Sequence, residues 1–236
     1  MKTIVFDTPD EAGSYVADTA VKILKEKPYP LFCLAAGHSS LPFFSSFVSR
    51  DLDFSKARFV ELDEWMDLPL EAEGSCAGFL RKNFFSRINA REENICLFDP
   101  LTADGETECR RVTKQIAAWG GIDYLLLGMG LNGHLALNEP GSDPGCSAHV
   151  ANLSKTTMDV APKYFGGAMP PITRGITLGL GDLKAAGIIQ LLVLGKHKRE
   201  ICGRLLSCTK VDTELPASAL IESENAELVL DKAAVG

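Results

Sequence analysis

Short apolar runs alternate with amphipathic helical patterns along this chain, and this alternation constrains the fold more than any other feature. The run at 122–127, for example, ends abruptly in a glycine-rich turn. Strands that are buried on both faces of a sheet have this near-continuous apolar character. We therefore predict strands at 3–6, 31–35, 58–62, 122–127, 173–180, 188–194 and 226–230.

Helical patterns occupy the segments between most of these strands. We predict helices at 10–26, from about 41, at 75–87, at 106–119 and from about 196. Thr8 or Asp10 can cap the first of them, and Pro42 lies in the first turn of the second, where proline is tolerated. Strands that alternate with helices predict a largely parallel sheet with helices on both faces. The expected fold is thus a three-layer, Rossmann-like α/β architecture.

Composition limits what kind of protein this is. At 236 residues, with 46% hydrophobic and 23% charged residues, the chain suits one α/β domain over 1–236. A net charge of −7 argues against a nucleic-acid surface, and an anionic substrate would need a locally cationic pocket. No secretory signal or membrane-length apolar stretch is evident, and the seven scattered cysteines fit a reduced, cytoplasmic protein. We expect no metal site, no nucleic-acid partner and no membrane partner.

The turn after the 122–127 strand carries the densest group of chemically useful side chains. Within a few residues it presents Asn132, His134, Asn138 and Glu139. Ligands in open α/β folds bind at the carboxyl edge of the sheet, where such a turn lies. An imidazole and a carboxylate at that edge can move protons near neutral pH. This loop is therefore the first candidate for a catalytic site.

The same loop contains the dinucleotide-binding pattern GxGxxG at Gly128, Gly130 and Gly133. Three features argue against a nicotinamide site. The pattern lies in mid-chain, polar side chains crowd the loop, and the nearest acidic candidate, Asp159, lies in a Ser/Thr-rich polar stretch.

Three further loops follow predicted strands and should open on the same edge. Residues 36–40 suit phosphate binding at a helix start, although a plain serine-capped turn has the same pattern. Residues 61–65 offer carboxylates, which a solvated acidic turn would also do. Residues 195–199 place cations after a strand, either as counter-charges for a phosphate or as a charged helix surface.

Several motifs together resemble the superfamily of glucosamine-6-phosphate deaminases and 6-phosphogluconolactonases. The sequence GxNGHxxxNEPG of the catalytic loop resembles the sugar-phosphate deaminase motif. LDEWMDLPL at 62–70, ITRGITLGLGDL at 172–183 and LPAS at 215–218 are similar to the galactosamine-6-phosphate deaminase/isomerase branch. The resemblance extends from about residue 31 to residue 219.

This resemblance implies isomerisation coupled to deamination of a hexosamine 6-phosphate, without metal or redox cofactor. Asp63 matches the base that moves a proton between C2 and C1. His134 matches the acid/base that opens the sugar ring, Glu139 matches its assisting carboxylate, and we include Asn132 in this catalytic set. The phosphate-binding positions implied are Gly37, His38, Ser39, Ser40, Lys198 and Lys163. We also expect Glu64, Gly130 and Gly133 to line the substrate pocket.

Some residues depart from the pattern. Asn132 stands where many glucosamine-6-phosphate deaminases have aspartate, and an amide cannot titrate. Lys163 stands where arginine is common, and His38 replaces a small residue. The segment after Glu139 lacks the basic residues of the allosterically regulated enzymes. The expected substrate is galactosamine 6-phosphate, giving tagatose 6-phosphate; glucosamine 6-phosphate, lactone hydrolysis or a non-catalytic sugar-phosphate sensor are the alternatives. The oligomeric state stays open.

Overall fold

The strands of the computed structural model, which describes residues 1–167 and 170–236, fall into two sheets. Within the described residues they are, in chain order, β1 (Lys2–Phe6), β2 (Leu31–Leu34), β3 (Arg58–Val60), β4 (Asp63–Trp65), β5 (Ile95–Cys96), β6 (Tyr124–Leu127), β7 (His149–Asn152), β8 (Arg174–Thr177), β9 (Ile188–Val193) and β10 (Ala226–Asp231).

Helices connect most of the strands. Over the same part of the chain they are α1 (Pro9–Glu26), α2 (Leu41–Val48), α3 (Cys76–Asn83), α4 (Gly105–Ala118), α5 (Lys155–Val160), α6 (Leu180–Lys184), α7 (Arg199–Ser207) and α8 (Lys232–Val235). Helix α1 begins at the cap that the sequence suggests, because the Thr8 side chain accepts from the Glu11 N–H and Glu11 caps Thr8 in return. None of the helices in these ranges is long and apolar enough to span a bilayer.

The larger sheet has seven strands in the order β1-β10-β9-β6-β2-β3-β5, all parallel. Side chains alternate between its two faces along each strand. Phe32 and Leu34 of β2 face a core formed with α1, α2 and α3, whereas Leu31 and Cys33 face a core formed with α4, α6 and α7. The predicted parallel sheet with helices on both faces is confirmed.

The smaller sheet is where the structure departs from the sequence prediction. Residues 61–65 are predicted as a strand end and loop, but Asp63–Trp65 form β4, which pairs antiparallel with β8. The partner is far along the chain, since Asp63 lies opposite Thr177. Strand β7 pairs on the other side of β8 and was not predicted, because its sequence reads as part of a polar stretch. This sheet fixes the direction of the Asp63 side chain.

Other boundaries differ for local reasons. The predicted helix at 75–87 ends at Asn83, because Phe84 leaves helical geometry and a short 3₁₀ turn follows. Strand β5 is only two residues long, and α5 is a short helix capped by Ser154 in the polar stretch. Residues 128–148, which are all described, contain no helix, so the GxGxxG pattern lacks the helix N-terminus that dinucleotide binding requires.

Candidate active site

One cavity of about 780 Å³ lies at the carboxyl edge of the parallel sheet. The loops after β2, β6 and β9 and strand β4 all contribute to its wall. Most of the predicted site residues line it: Gly37, His38, Ser39, Ser40, Asp63, Gly130, His134, Lys163 and Lys198. Loops that are distant in sequence therefore meet around a single space, as the parallel topology predicts.

Asp63 presents a carboxylate to this cavity from strand β4. Alternation along the strand directs Asp63 and Trp65 to the cavity, whereas Glu64 between them does not line it. Burial and the negative charge of Glu64 raise the pKa of Asp63 to about 7. A carboxylate with that pKa can accept a proton from a carbon acid near neutral pH.

His134 is held through its Nδ1 atom. This nitrogen lies 3.1 Å from Oγ1 of Thr157 and 3.4 Å from Oε2 of Glu139. A carboxylate only accepts, so the Glu139 contact favours the tautomer with hydrogen on Nδ1. Nε2 is then the ring nitrogen left to exchange a proton with a bound molecule.

Glu139 stands behind His134, away from the cavity wall. Burial alone would raise its pKa, but the hydrogen bond and charge of His134 together with the Asn132 amide outweigh burial and lower the pKa to about 2. Asn132 donates to Oε2 of Glu139 at 2.8 Å and to the Ser154 hydroxyl at 3.0 Å, and its Oδ1 accepts from the backbone N–H of His134. Asn132 does not line the cavity. Its contacts place it to orient Glu139 and the backbone of His134.

The loop at 37–40 also lines the cavity. A 3₁₀ turn over His38–Ser40 runs directly into α2. The first N–H groups of such a turn have no partner within the helix, which suits a bound phosphate. The His38 ring stacks on Tyr164 at 5.3 Å between centroids and meets the edge of Phe79 at 6.1 Å. His38 therefore forms part of an aromatic wall.

Two lysines bring positive charge to the cavity. Lys198 is buried, and its Nζ donates to the carbonyl of Met129 in the β6 loop. Burial and the nearby charge of Lys163 lower the pKa of Lys198 to about 8, which leaves it mainly protonated at neutral pH. The Nζ of Lys163 lies 5.0 Å from the centroid of the Tyr164 ring. These cations can offset the acidic background of the chain at this one place.

Two residues predicted for the substrate pocket have other positions. Glu64 is fully buried and binds backbone N–H groups at the start of α3. Gly133 does not line the cavity; its φ of +87° and the nearby Leu215 side chain explain the glycine by turn geometry and packing. Gly130 does line it, and its missing side chain leaves room for the His134 ring, which a Cβ would approach to 2.4 Å.

Ser154 and Thr157 belong to the site and were missed by the sequence reasoning. The Ser154 N–H donates to Oε1 of Glu139, and its hydroxyl lies between Asn132 and Thr157. Both residues belong to the N-terminal cap of α5, where the Ser154 side chain accepts from the Thr157 N–H. A serine with a threonine three residues later is a helix-start pattern that could have pointed to this helix.

The parallel fold and a cavity whose wall holds a carboxylate, an imidazole and two lysines define the class of the protein as an α/β enzyme. The chain belongs to the family described as "Glucosamine-6-phosphate isomerases/6-phosphogluconolactonase", whose model matches residues 7–230. Within the described residues, no group of three or more His, Cys, Asp or Glu side chains is arranged to hold a metal ion.

Individual relatives agree with this family assignment. The Escherichia coli (strain K12) protein named "Putative deaminase AgaI" is 40% identical over 202 residues, which cover 84% of this chain and 79% of that protein. A glucosamine-6-phosphate deaminase of Thermoanaerobacter sp. (strain X514) is 32% identical over 99% of this chain and 94% of its own. A solved structure described as a monomeric glucosamine-6-phosphate deaminase is 28% identical, covers 99% of this chain and 98% of its own, and has a TM-score of 0.95.

Proposed function

We propose that this protein is a cytosolic hexosamine-6-phosphate deaminase whose preferred substrate is galactosamine 6-phosphate. The observation that carries the proposal is the single cavity lined by Asp63, His134 and Lys198. A base, an acid/base imidazole and a cation in one space are what isomerisation of a phosphorylated sugar requires. The names of the relatives support deamination within the family.

The proposed reaction begins with ring opening. His134 Nε2 takes the proton of the C1 hydroxyl and returns a proton to the ring oxygen as the C1–O5 bond breaks. Glu139 stabilises the imidazolium that forms in between, since its pKa of about 2 keeps it ionised. The open-chain aldehyde then lies with its phosphate near Lys198.

Asp63 catalyses the proton transfer of the isomerisation, and deamination follows from it. Its carboxylate removes the C2 proton while the C1 carbonyl oxygen gains a proton from the substrate's ammonium group, which gives a neutral enolamine with a hydroxyl at C1. The protonated Asp63 then returns its proton to C1, which leaves an iminium at C2. Water adds to C2 and ammonia leaves, so one hexosamine 6-phosphate and one water give one ketohexose 6-phosphate and one ammonia. The same carboxylate can serve both carbons because they are adjacent.

The choice of the galacto substrate rests on sequence likeness. The segments at 62–70, 172–183 and 215–218 and the amide of Asn132 resemble the galactosamine-6-phosphate branch. The glucosamine 6-phosphate alternative keeps every step above and differs only in the C4 hydroxyl. Lactone hydrolysis is disfavoured by the NEPG ending of the catalytic loop and by Trp65. A sensor would not need Asp63, His134 and Glu139 together.

Ammonia release separates these functions. We expect the purified protein to release ammonia from galactosamine 6-phosphate with a higher kcat/KM than from glucosamine 6-phosphate. The reverse order would assign the gluco substrate. Hydrolysis of 6-phosphogluconolactone without ammonia release would assign a lactonase, and tight binding of both amino sugars without turnover would assign a sensor.

The raised pKa of Asp63 predicts a pH dependence. Because the base must be ionised, kcat/KM should fall about tenfold for each pH unit below about 7. The measurement is a pH–rate profile corrected for ionisation of the substrate phosphate, which a phosphorus NMR titration supplies. A profile that stays flat from about pH 7 to about pH 5 would contradict the role of Asp63 as base.

Removal of the Lys198 ammonium should weaken substrate binding. We expect Lys198→Ala to raise KM by about 10- to 100-fold with little change in kcat, because a charge-assisted contact to phosphate is present before and during the reaction. Lys196→Ala is the matched control, since Lys196 is exposed and lies outside the cavity wall. An unchanged KM in Lys198→Ala would mean that the phosphate binds elsewhere.

A methyl group at Gly130 should displace the imidazole without unfolding the protein. A Cβ there would lie 2.4–2.5 Å from three ring atoms of His134, so the ring must move. We expect Gly130→Ala to lower kcat by about 100-fold, as misplacement of a catalytic group by about 1 Å does. Gly203→Ala, on the exposed face of α7 with open space around it, is the control for the substitution itself. Unchanged kcat in Gly130→Ala would show that the ring position is not critical.

A further inference from the structure

Two glutamates flank Asp63 in the chain, and both are removed from solvent. Glu61 is 1% exposed and Glu64 is 0% exposed. A buried carboxylate is costly unless donors satisfy it, so the partners of each carboxyl group indicate whether it is ionised. The proposed mechanism does not use either residue.

Glu64 has the partners of an ionised carboxylate. Its Oε1 accepts from the N–H groups of Trp65 at 2.8 Å and Cys76 at 2.9 Å, and its Oε2 accepts from the N–H of Ala77 at 2.9 Å. Two of these three donors are the first N–H groups of α3, which favour a negative charge. Burial raises the pKa of Glu64 and these three donors oppose that rise, so Glu64 is the carboxyl group of the two whose contacts favour the charged form.

Glu61 has a different environment. Its Oε2 accepts from the Phe98 N–H at 2.8 Å, but its Oε1 finds no donor among the residues that the structure describes. The Glu64 carboxylate is the charge that acts most strongly on Glu61. Two carboxylate oxygens are both acceptors, so a hydrogen bond between these two side chains needs a proton. Burial and the charge of Glu64 raise the pKa of Glu61 well above its usual range.

We propose that Glu61 retains a proton, donates it to Glu64 and so limits the pair to one negative charge beside Asp63. Glu61 is then a positioning residue: it holds the Glu64 carboxylate in place and adds no charge of its own. The functional consequence rests on the proposed role of Asp63 as base. A second negative charge here would raise the pKa of Asp63 further and leave less of the base ionised at neutral pH.

The other titratable groups around this pair add no charge near neutral pH. Cys33 on β2 feels both Asp63 and Glu61, and burial raises the pKa of its thiol well above the usual value. Burial and the nearby carboxylates also raise the pKa of the Cys76 thiol, at the start of α3, well above its usual value. Burial raises the pKa of Tyr164, near Asp63, to about 12. Glu64 is therefore the charge that the Asp63 carboxylate experiences most.

The pH profile distinguishes a neutral Glu61 from a charged one. Glu61→Gln replaces a protonated acid with a neutral amide that can still donate to Glu64 and accept from Phe98. We expect the midpoint of the acid limb of kcat/KM to stay within about 0.3 pH units of wild type. Glu64→Gln removes a real charge and should lower that midpoint by about one unit. A shift in Glu61→Gln as large as in Glu64→Gln would overturn the proposal.

A carboxyl NMR titration of the unliganded protein tests the proton without activity or substitution. With carbon-13 placed in glutamate carboxyl groups only, the Asp63 carboxyl group gives no signal in the spectrum. We expect one glutamate resonance to keep the chemical shift of the protonated acid from about pH 6 to about pH 8, where ordinary glutamates are ionised. Absence of any such resonance would overturn the proposal even if ammonia is released. Its presence in a protein that releases no ammonia would refute the deaminase function and leave the shared proton intact.

Discussion

We expect Asp63→Asn to lower kcat for ammonia release by about 1,000-fold, because an amide cannot take the C2 proton. Asparagine has nearly the same shape, so the cavity wall and the pairing of β4 with β8 should persist. Ring opening, which we assign to His134, should continue in this variant. Anomer interconversion of the amino sugar phosphate, followed by NMR, should therefore stay enzyme-dependent while ammonia release is lost.

Asp67→Asn provides the matched control for this substitution. Asp67 lies four residues further along, is exposed, and pairs with Arg174 outside the cavity. Exposed ion pairs contribute little to stability, so both kcat and the melting temperature should stay close to wild type. Retention of more than about a tenth of the activity in Asp63→Asn would assign the base to another residue.

The second large effect is expected at the imidazole. We expect His134→Gln to lower kcat/KM by about 100- to 1,000-fold, because the variant loses the ring nitrogen to which we assign proton transfer between the C1 hydroxyl and the ring oxygen. The residual reaction should depend on spontaneous ring opening. At high concentrations of the variant, the rate should stop rising with enzyme concentration, since the uncatalysed step then limits the rate.

His149→Gln makes the same change at a histidine outside the cavity. His149 lies on β7, away from the cavity wall, and its Nδ1 contacts the Ser147 carbonyl. We expect this variant to match wild type. A residual rate of His134→Gln that rises in proportion to enzyme concentration throughout would mean that His134 does not open the ring, and the assignment of that step would then fail.

Local pattern was sufficient to predict six of the seven strands of the large sheet; the two-residue strand β5 was missed. Strands β2 and β6 are apolar throughout and β9 is apolar except for Gln190, and each is followed by a glycine-containing turn with polar side chains. Because parallel strands end at one edge, placing these turns together required no knowledge of the tertiary contacts. Asp63 was singled out by the resemblance to the deaminase family, and its position, predicted as a loop, is a strand.

Interactions between distant segments could not be predicted in the same way. The amide of Asn132 was predicted as catalytic, but its hydrogen bonds to Glu139 and Ser154 place it behind the imidazole. Thr157 contacts His134 from helix α5, which was not predicted because its sequence is polar. These contacts join segments whose spacing carries no signal of proximity, because a hydrogen bond depends on where both groups are brought by the fold.

The amino-acid sequence by itself determined most strands of the large sheet and the edge at which its polar turns meet, since periodicity and turn chemistry act over a few residues, and its motifs named most of the groups that line the cavity. Only the tertiary structure determined the orientation and the pKa of those groups. The antiparallel pairing of Asp63 with Thr177 turns the carboxylate to the cavity, and burial beside Glu64 raises its pKa. Electrostatic environment depends on burial and on neighbours from other segments, and these exist only once the chain has folded.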